Sequence, residues 1–357
     1  MADASTVCLA FERPIYEQLG RVEEIRAALA KLEEEAKALQ GAGEGEGAAA
    51  PPDPEVASRL RADLERKRED LTREYRREDE KCRHLTHEVY ANLTPWERVQ
   101  VARHPARPYA RDYLELAFHD VMELHGDRRL GDDGAIFTGF ARLGDRRVMV
   151  IAQRKGRDTK ERIASNFGMA RPEGYRKAIA KMRLAERFRL PVVCLIDTPG
   201  AFPGIDAEER GQAWAIAESI LEMCRLRTPA VAVVIGEGGS GGALAIGVAD
   251  RVLILENAYY SVISPEGCAS ILWKSRERAA DAAEALRITS HDLLRLGVVD
   301  GIVEEPLGGA HRDAAEMARR VRTAVLSALS ELDAVPLDTL VATRYRKYRD
   351  LGKHLSS

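Results

Sequence analysis

Residues Gly236-Glu237-Gly238-Gly239-Ser240-Gly241-Gly242-Ala243 carry five glycines in their first seven positions. An apolar run, 229–235, precedes them and a small-residue run, 243–246, follows. That order reads strand, tight turn, helix start. Glycine lets backbone approach a ligand closely and adopt positive φ. A helix start adds unpaired N–H groups and the positive end of the helix dipole. Such a turn stabilises an oxygen bearing negative charge, either a phosphate or an anion that exists only during a reaction. A second loop, Asp197-Thr198-Pro199-Gly200-Ala201-Phe202-Pro203-Gly204, follows the apolar run 192–196. Ligands of open α/β sheets sit beyond the carboxyl ends of the strands, so two such loops on neighbouring strands would line one pocket. A third candidate is the dense charged stretch 153–162, where Arg154, Lys155 and Arg157 suit an anionic substrate tail as well as they suit a solvated loop.

The same residues admit other chemistry. Gly236, Gly238 and Gly241 satisfy G-x-G-x-x-G after a strand, and Glu256 ends the next strand, near where a dinucleotide site places its acidic residue. Against a nucleotide-binding oxidoreductase stand the interruption of the following helix by Gly247 and Asp250, the late position of the loop, and the extension of the glycines into the helix start at Gly241-Gly242-Ala243. Ser240 among glycines invites a nucleophile reading. A nucleophile needs a positioned base, and none of the eight histidines forms a triad signature. Ser240 therefore reads as a small residue in a tight turn. His84 and His87 read as surface residues of a charged helix without partners for a metal.

The elements that must position these loops alternate strand and helix. A hairpin is expected from 136–143 through Gly144-Asp145 to 148–152, with later strands at 192–196, 231–235, 252–255 and 298–303. Amphipathic helices are expected at 173–188, 208–226 and 312–332. This is an α/β layer with a mostly parallel sheet. Ahead of it, Val22, Ile25, Leu29, Leu32, Ala36 and Leu39 form a heptad seam. A second seam of Leu64, Leu71, Tyr75, Cys82, Leu85 and Val89 is interrupted by Arg68 and Glu78. The Gly/Ala/Pro-rich stretch near 41–54 makes them a hairpin with a flexible connector. Thr94 and Pro95 read as the cap and first position of a further helix. The expected organisation is thus a helical hairpin over 1–100, an α/β domain over 101–332 and a polar, basic tail over 333–357.

The chain has 357 residues with 45% hydrophobic and 31% charged, and a formal net charge of -3, so no global basic field argues for nucleic acid. No apolar run reaches membrane-spanning length, and residues 1–14 lack a signal-peptide core. The five cysteines are scattered without a C-x-x-C pair, which points to a reduced cytoplasmic protein with no zinc site on this chain.

Taken together, 93–100, 153–169, Pro172-Glu173-Gly174-Tyr175-Arg176-Lys177-Ala178, 196–204, 207–212, 236–247, 260–274 and 305–312 closely resemble the α subunits of bacterial acetyl-CoA carboxylase carboxyltransferases. The similarity runs from about Phe11 onward and departs from the family at the 41–54 insertion. It implies a crotonase-like fold, a spiral of ββα units. It also implies a β-subunit partner that carries the zinc ribbon, usually in an α2β2 assembly, together with a biotin carboxyl carrier protein and biotin carboxylase. In such a system carboxybiotin on the carrier meets acetyl-CoA at a site shared between the subunits, giving malonyl-CoA. The resemblance makes the backbone N–H groups of Gly241, Gly242 and Ala243 the oxyanion site for the biotin ureido oxygen. Gly200, Ala201, Gly204, Gly238, Gly239, Arg154, Lys155 and Arg157 become candidate substrate-binding residues. An acyl-CoA hydratase or isomerase of the same fold would work without β subunit or biotin. A scaffold acting through its hairpin would tolerate bulk at Gly242.

Overall fold

A computed structural model describes residues 7–41 and 54–352. The connector between Gly41 and Pro54, and the side chain of Leu39, lie outside the described residues. The chain divides into two compact units, one spanning Cys8–Asn92 and the other carrying the sheet from Leu93 onward.

The first unit is a pair of long helices, α1 (Arg13–Gly41) and α2 (Pro54–Ala91). Their pairing is antiparallel: Glu12 accepts from the Tyr90 hydroxyl at 2.8 Å, Gln18 donates to Glu78 at 2.9 Å, and Arg26 donates to the Tyr75 hydroxyl at 3.1 Å. Val22 and Cys82 of the two seams are buried. Glu78, which interrupts the second seam, is tolerated because Gln18 and Lys81 satisfy its carboxylate.

The second unit opens with α3 (Pro95–Ala102), started by a reciprocal capping box between Thr94 and Glu97 with Pro95 in the first turn. Next come α4 (Ala110–Leu116), β1 (His119–Glu123), β2 (Ile136–Leu143), β3 (Arg146–Gln153), α5 (Thr159–Ala164), α6 (Pro172–Phe188) and β4 (Val192–Thr198). The chain continues through α7 (Ile205–Glu209), α8 (Gln212–Arg225), β5 (Ala230–Gly239), α9 (Ser240–Leu244), β6 (Arg251–Leu255) and β7 (Tyr259–Ser261). It closes with α10 (Pro265–Trp273), α11 (Ala279–Leu286), α12 (Ser290–Arg295), β8 (Gly301–Val303), α13 (Ala314–Asp333) and α14 (Leu337–Asp350). The strand order is β1-β2-β3-β4-β5-β6-β8, antiparallel from β1 to β3 and parallel from there on. β4 and β5 are buried at every position, which is why 192–196 and 230–235 read as continuous apolar runs.

β5 belongs to two pairings at once. Its first half pairs with β6 (Val231↔Arg251 to Val234↔Ile254), and its last three residues pair with β7 (Glu237↔Tyr259 to Gly239↔Ser261). The glycine run is therefore not the turn the sequence suggested. Gly236 to Gly239 are strand, and the reversal falls on Ser240 at φ +52°. Glycine disfavours strands when only propensity counts. Here the ladder to β7 and the pairing of Thr198 with Gly238 hold it extended.

Other differences have equally local causes. The helix expected over 208–226 breaks at Gly211 (φ +79°) into α7 and α8. β1 went unread because it is exposed over most of its length, and β7 because it has three residues. The segment 333–357, expected to be a polar tail, contains α14, whose Arg344 is wholly buried.

Candidate functional site

The site lies where β4 and β5 end side by side. Beyond β4 the chain turns through Pro199, Gly200 and Ala201; beyond β5 it turns at Ser240 into α9. The two turns touch main chain to main chain. A Cβ on Gly239 would stand 2.3 Å from the Pro199 carbonyl oxygen, and one on Gly242 would stand 2.6 Å from the Gly200 carbonyl carbon and 2.7 Å from the Ala201 nitrogen. No side chain fits at either position, which explains the residue type by close approach. Gly241 is freer: its nearest neighbour would be Ile216 at 3.5 Å.

Two buried polar side chains fix this contact. Gln153, at the end of β3, donates from Nε2 to the Gly242 carbonyl at 2.8 Å and accepts the Asp197 N–H at 3.1 Å. Thr198 accepts the Gly200 N–H at 3.1 Å and donates to the Gly168 carbonyl at 2.6 Å. The first amides of α9, among them Gly241, Gly242 and Ala243, have no partner within the helix. Beside them lies a mostly apolar cavity of about 280 Å³ lined by Ser240, Gly241, Leu244, Tyr260 and Val262 among others.

A second cavity, of about 230 Å³, is lined by Pro199, Lys155, Asp197, Glu237, Arg103 and Arg157 among others. Its floor is an ion network. Lys155 Nζ contacts Asp197 Oδ1 at 2.7 Å and also Glu237. Arg103 donates to Glu237 at 2.7 Å and pairs with Glu266, and the Tyr259 hydroxyl donates to Glu237. Burial raises the Glu237 pKa, but the charges of Lys155 and Arg103 outweigh it and hold the carboxyl at about 2. Burial likewise lowers the Lys155 pKa, and Asp197 and Glu237 more than reverse that.

The structure thus brings Gly200 and Ala201 together with Gly239, Gly242 and the start of α9. Gly238 is interior to β5, packed against the Tyr260 ring, and Gly204 caps α7 beside Phe202. The three cations of the charged loop are each paired within the chain. Arg154 bonds Glu123 at 2.9 Å and stacks over Phe137 at 4.8 Å; Arg157 bonds Asp112 at 2.6 Å and stacks over Tyr109 at 4.9 Å. Arg154 faces a separate cleft, of about 650 Å³. His84 and His87 are exposed. Ser240 is the turn residue, itself exposed.

Comparison with known proteins gives the family and the fold. The sequence profile described as "Acetyl co-enzyme A carboxylase carboxyltransferase-like" matches residues 55–352. The chain belongs to this family. It is 63% identical over 268 residues to the acetyl-coenzyme A carboxylase carboxyl transferase subunit alpha of Rhodopirellula baltica, covering 75% of this chain and 84% of that one. With the subunit of the same name from Thermus thermophilus it shares 58% over 283 residues, covering 79% and 91%. Among solved structures, transcarboxylase 12S matches with a TM-score of 0.53 at 21% identity, over 64% of this chain and 42% of that one. A Pseudomonas malonate decarboxylase hetero-tetramer in complex with coenzyme A gives 0.51 at 20% identity, over 60% and 86%. These likenesses establish the crotonase-like fold.

The oxidoreductase alternative finds no support in this carboxyltransferase family. Its first two glycines, Gly236 and Gly238, are spent inside β5, and α9 has five residues, too few for a dinucleotide-binding helix. In the sequence, Asp197, Thr198 and Glu237 stand only as members of the two loops and Gln153 as the start of the charged stretch, with nothing to mark their partners, and Arg103 carries no signal. Their signal was weak because each acts across the sheet on residues tens of positions away.

Proposed function

We propose that this carboxyltransferase subunit supplies one half of a shared active site that moves the carboxyl group of carboxybiotin, presented on a carrier protein, to acetyl-CoA, giving malonyl-CoA for fatty acid synthesis. The observation that carries the reading is the main-chain contact of Gly242 with Gly200 and Ala201, which presents the first amides of α9 as a rigid group of donors. Carboxybiotin supplies the carboxyl group and, on giving it up, bears negative charge on its ureido oxygen. The N–H groups of Gly241, Gly242 and Ala243 stabilise that oxygen at the position where charge develops. The adjoining, mostly apolar cavity of about 280 Å³ suits the sulfur ring and alkyl arm of biotin. Gly200, Ala201, Gly204, Gly238 and Gly239 shape the loops; Lys155 and Arg157 stand beside them, Arg154 faces the separate cleft, and all three are ion-paired residues rather than free cations.

The remaining parts belong to partners. A β subunit bearing the zinc ribbon, in an α2β2 assembly, would hold acetyl-CoA, with biotin carboxylase recharging the carrier in the cytoplasm. Among the described residues no helix is long and apolar enough to cross a membrane. The test is the reverse reaction, malonyl-CoA decarboxylation coupled to biocytin carboxylation, with this chain alone and with its β subunit. Activity only in the mixture is expected. Activity of the chain alone would mean a self-sufficient site and end the two-subunit account.

A further inference from the structure

We propose that Lys155 is a positioning residue that clamps the ends of β4 and β5 together and so fixes the two loops that form the oxyanion site, rather than a cation that binds substrate; this rests on the carboxyltransferase reading of those loops. Three neighbouring parallel strands end here. Lys155 follows β3 by two residues, Asp197 is the penultimate residue of β4, and Glu237 lies near the end of β5. The Lys155 ammonium contacts both carboxylates. Asp197 Oδ1, which it contacts at 2.7 Å, also accepts the Glu237 backbone N–H at 2.9 Å and leaves no room for a side chain at Gly236. The clamp therefore acts on main chain three residues before Gly200 on one side and three before Ser240 on the other. Its stem is packed as well: a Cβ on Gly168 would stand 2.7 Å from Lys155 Cγ.

Among the described residues, the other arginines of this loop that line the cavity do not replace it: Arg157 is paired with Asp112, and Arg162 is exposed. The Lys155 side chain is 21% exposed, while those of Asp197 and Glu237 are 8% and 9% exposed. From the C-cap of α3, Arg103 serves Glu237 but also Glu266 of α10, and Tyr259 of β7 donates to Glu237. Arg107 and Tyr113 interact electrostatically with Asp197, but Arg107 is bound to Glu305. Removing Lys155 leaves two buried carboxylates that shared one ammonium. A proton shared between them would supply the charge that the ammonium no longer does. A variant without Lys155 should recover on acidification, as that shared proton replaces the lost charge. A cavity left in a merely structural position would confer no such pH dependence.

The experiment uses the full chain with its β subunit, malonyl-CoA and biocytin, and adds amide exchange on this chain alone. Lys155→Met should lower kcat at least about tenfold near pH 8 while KM for both substrates moves less than about threefold. The deficit should shrink toward pH 6. Adding Asp197→Asn, which keeps an acceptor for the Glu237 N–H, should restore kcat near pH 8. Lys155→Arg, which keeps the charge, should stay near wild type and serves if the Met variant misfolds. Amides of Thr198, Gly200, Ala201 and 238–243 should exchange faster in Lys155→Met. A rise in KM for either substrate at unchanged kcat would overturn the proposal in favour of substrate binding. A pH-independent loss that Asp197→Asn does not rescue, or unchanged exchange, would also overturn it. An inactive wild-type mixture, by contrast, would overturn the carboxyltransferase reading, while the exchange result would still decide the clamp.

Discussion

At the scale of single residues, the proposed chemistry rests on main-chain N–H groups rather than on side chains. Gly242 is held between the Gln153 amide and the Gly200–Ala201 backbone, so even one methyl group must move main chain. We expect Gly242→Ala to reduce coupled biocytin carboxylation about 100-fold, the usual scale for losing an oxyanion donor. Gly241→Ala meets only Ile216 at 3.5 Å and should cost far less. Equal activity of the two variants would place the donors elsewhere. Ser240 presents the opposite case. It adopts φ +52° as a non-glycine residue, a conformation that costs an L-residue about 1 kcal/mol or more. Ser240→Gly should therefore raise the unfolding midpoint while activity is retained. Loss of activity at unchanged stability would instead revive a chemical role for the hydroxyl. The residue type and spacing of these glycines were legible in the sequence. Which of them turn and which are strand was not, because that depends on β7 pairing from about twenty positions away.

At the scale of elements, β5 is the one on which the site depends, and its start is secured by a helix that looked dispensable. Arg344 of α14 has no exposed side-chain surface. It donates to both oxygens of Asp250, at 2.8 and 2.7 Å, and to the carbonyls of Met223, Leu226 and Thr228. Asp250 in turn accepts the Ala230 N–H at 2.8 Å, the first amide of β5. Breaking a buried pair by removing one partner strands the other charge. Arg344→Met should then cost about 3–5 kcal/mol of stability by denaturant unfolding. A loss below about 1 kcal/mol would mean that α14 is only an accessory. The sequence of α14, rich in Arg, Lys and Asp, reads as solvated tail because composition does not reveal that one of its arginines is fully paired.

At the scale of the whole molecule, the sheet unit is threaded by buried charge pairs that set its acid sensitivity. Arg107 binds both oxygens of Glu305 and the Ile235 carbonyl, while Asn257 and the Ala310 N–H complete the carboxylate's partners. Burial raises the Glu305 pKa, but Arg107 and Asn257 hold it at about 2, as Lys155 and Arg103 hold Glu237. A carboxyl whose folded pKa is depressed adds stability that is complete above its unfolded pKa and is lost as pH falls through the folded one. Thermal midpoints should fall most steeply between about pH 4.5 and about pH 2. Glu305→Gln should flatten that slope while lowering the midpoint at neutral pH; an unchanged slope would show that other groups control acid unfolding. By itself, the sequence determined the strand–helix alternation, the helical hairpin, the two loops after β4 and β5, and the family. Periodicity, turn residues and local motifs are written in neighbouring residues. Only the tertiary structure decided that the glycine run continues as strand, that Lys155 faces two carboxylates rather than solvent, and that Arg344 lies inside. Each of those facts depends on partners from distant strands and helices, and a buried charge has the same one-letter code as an exposed one.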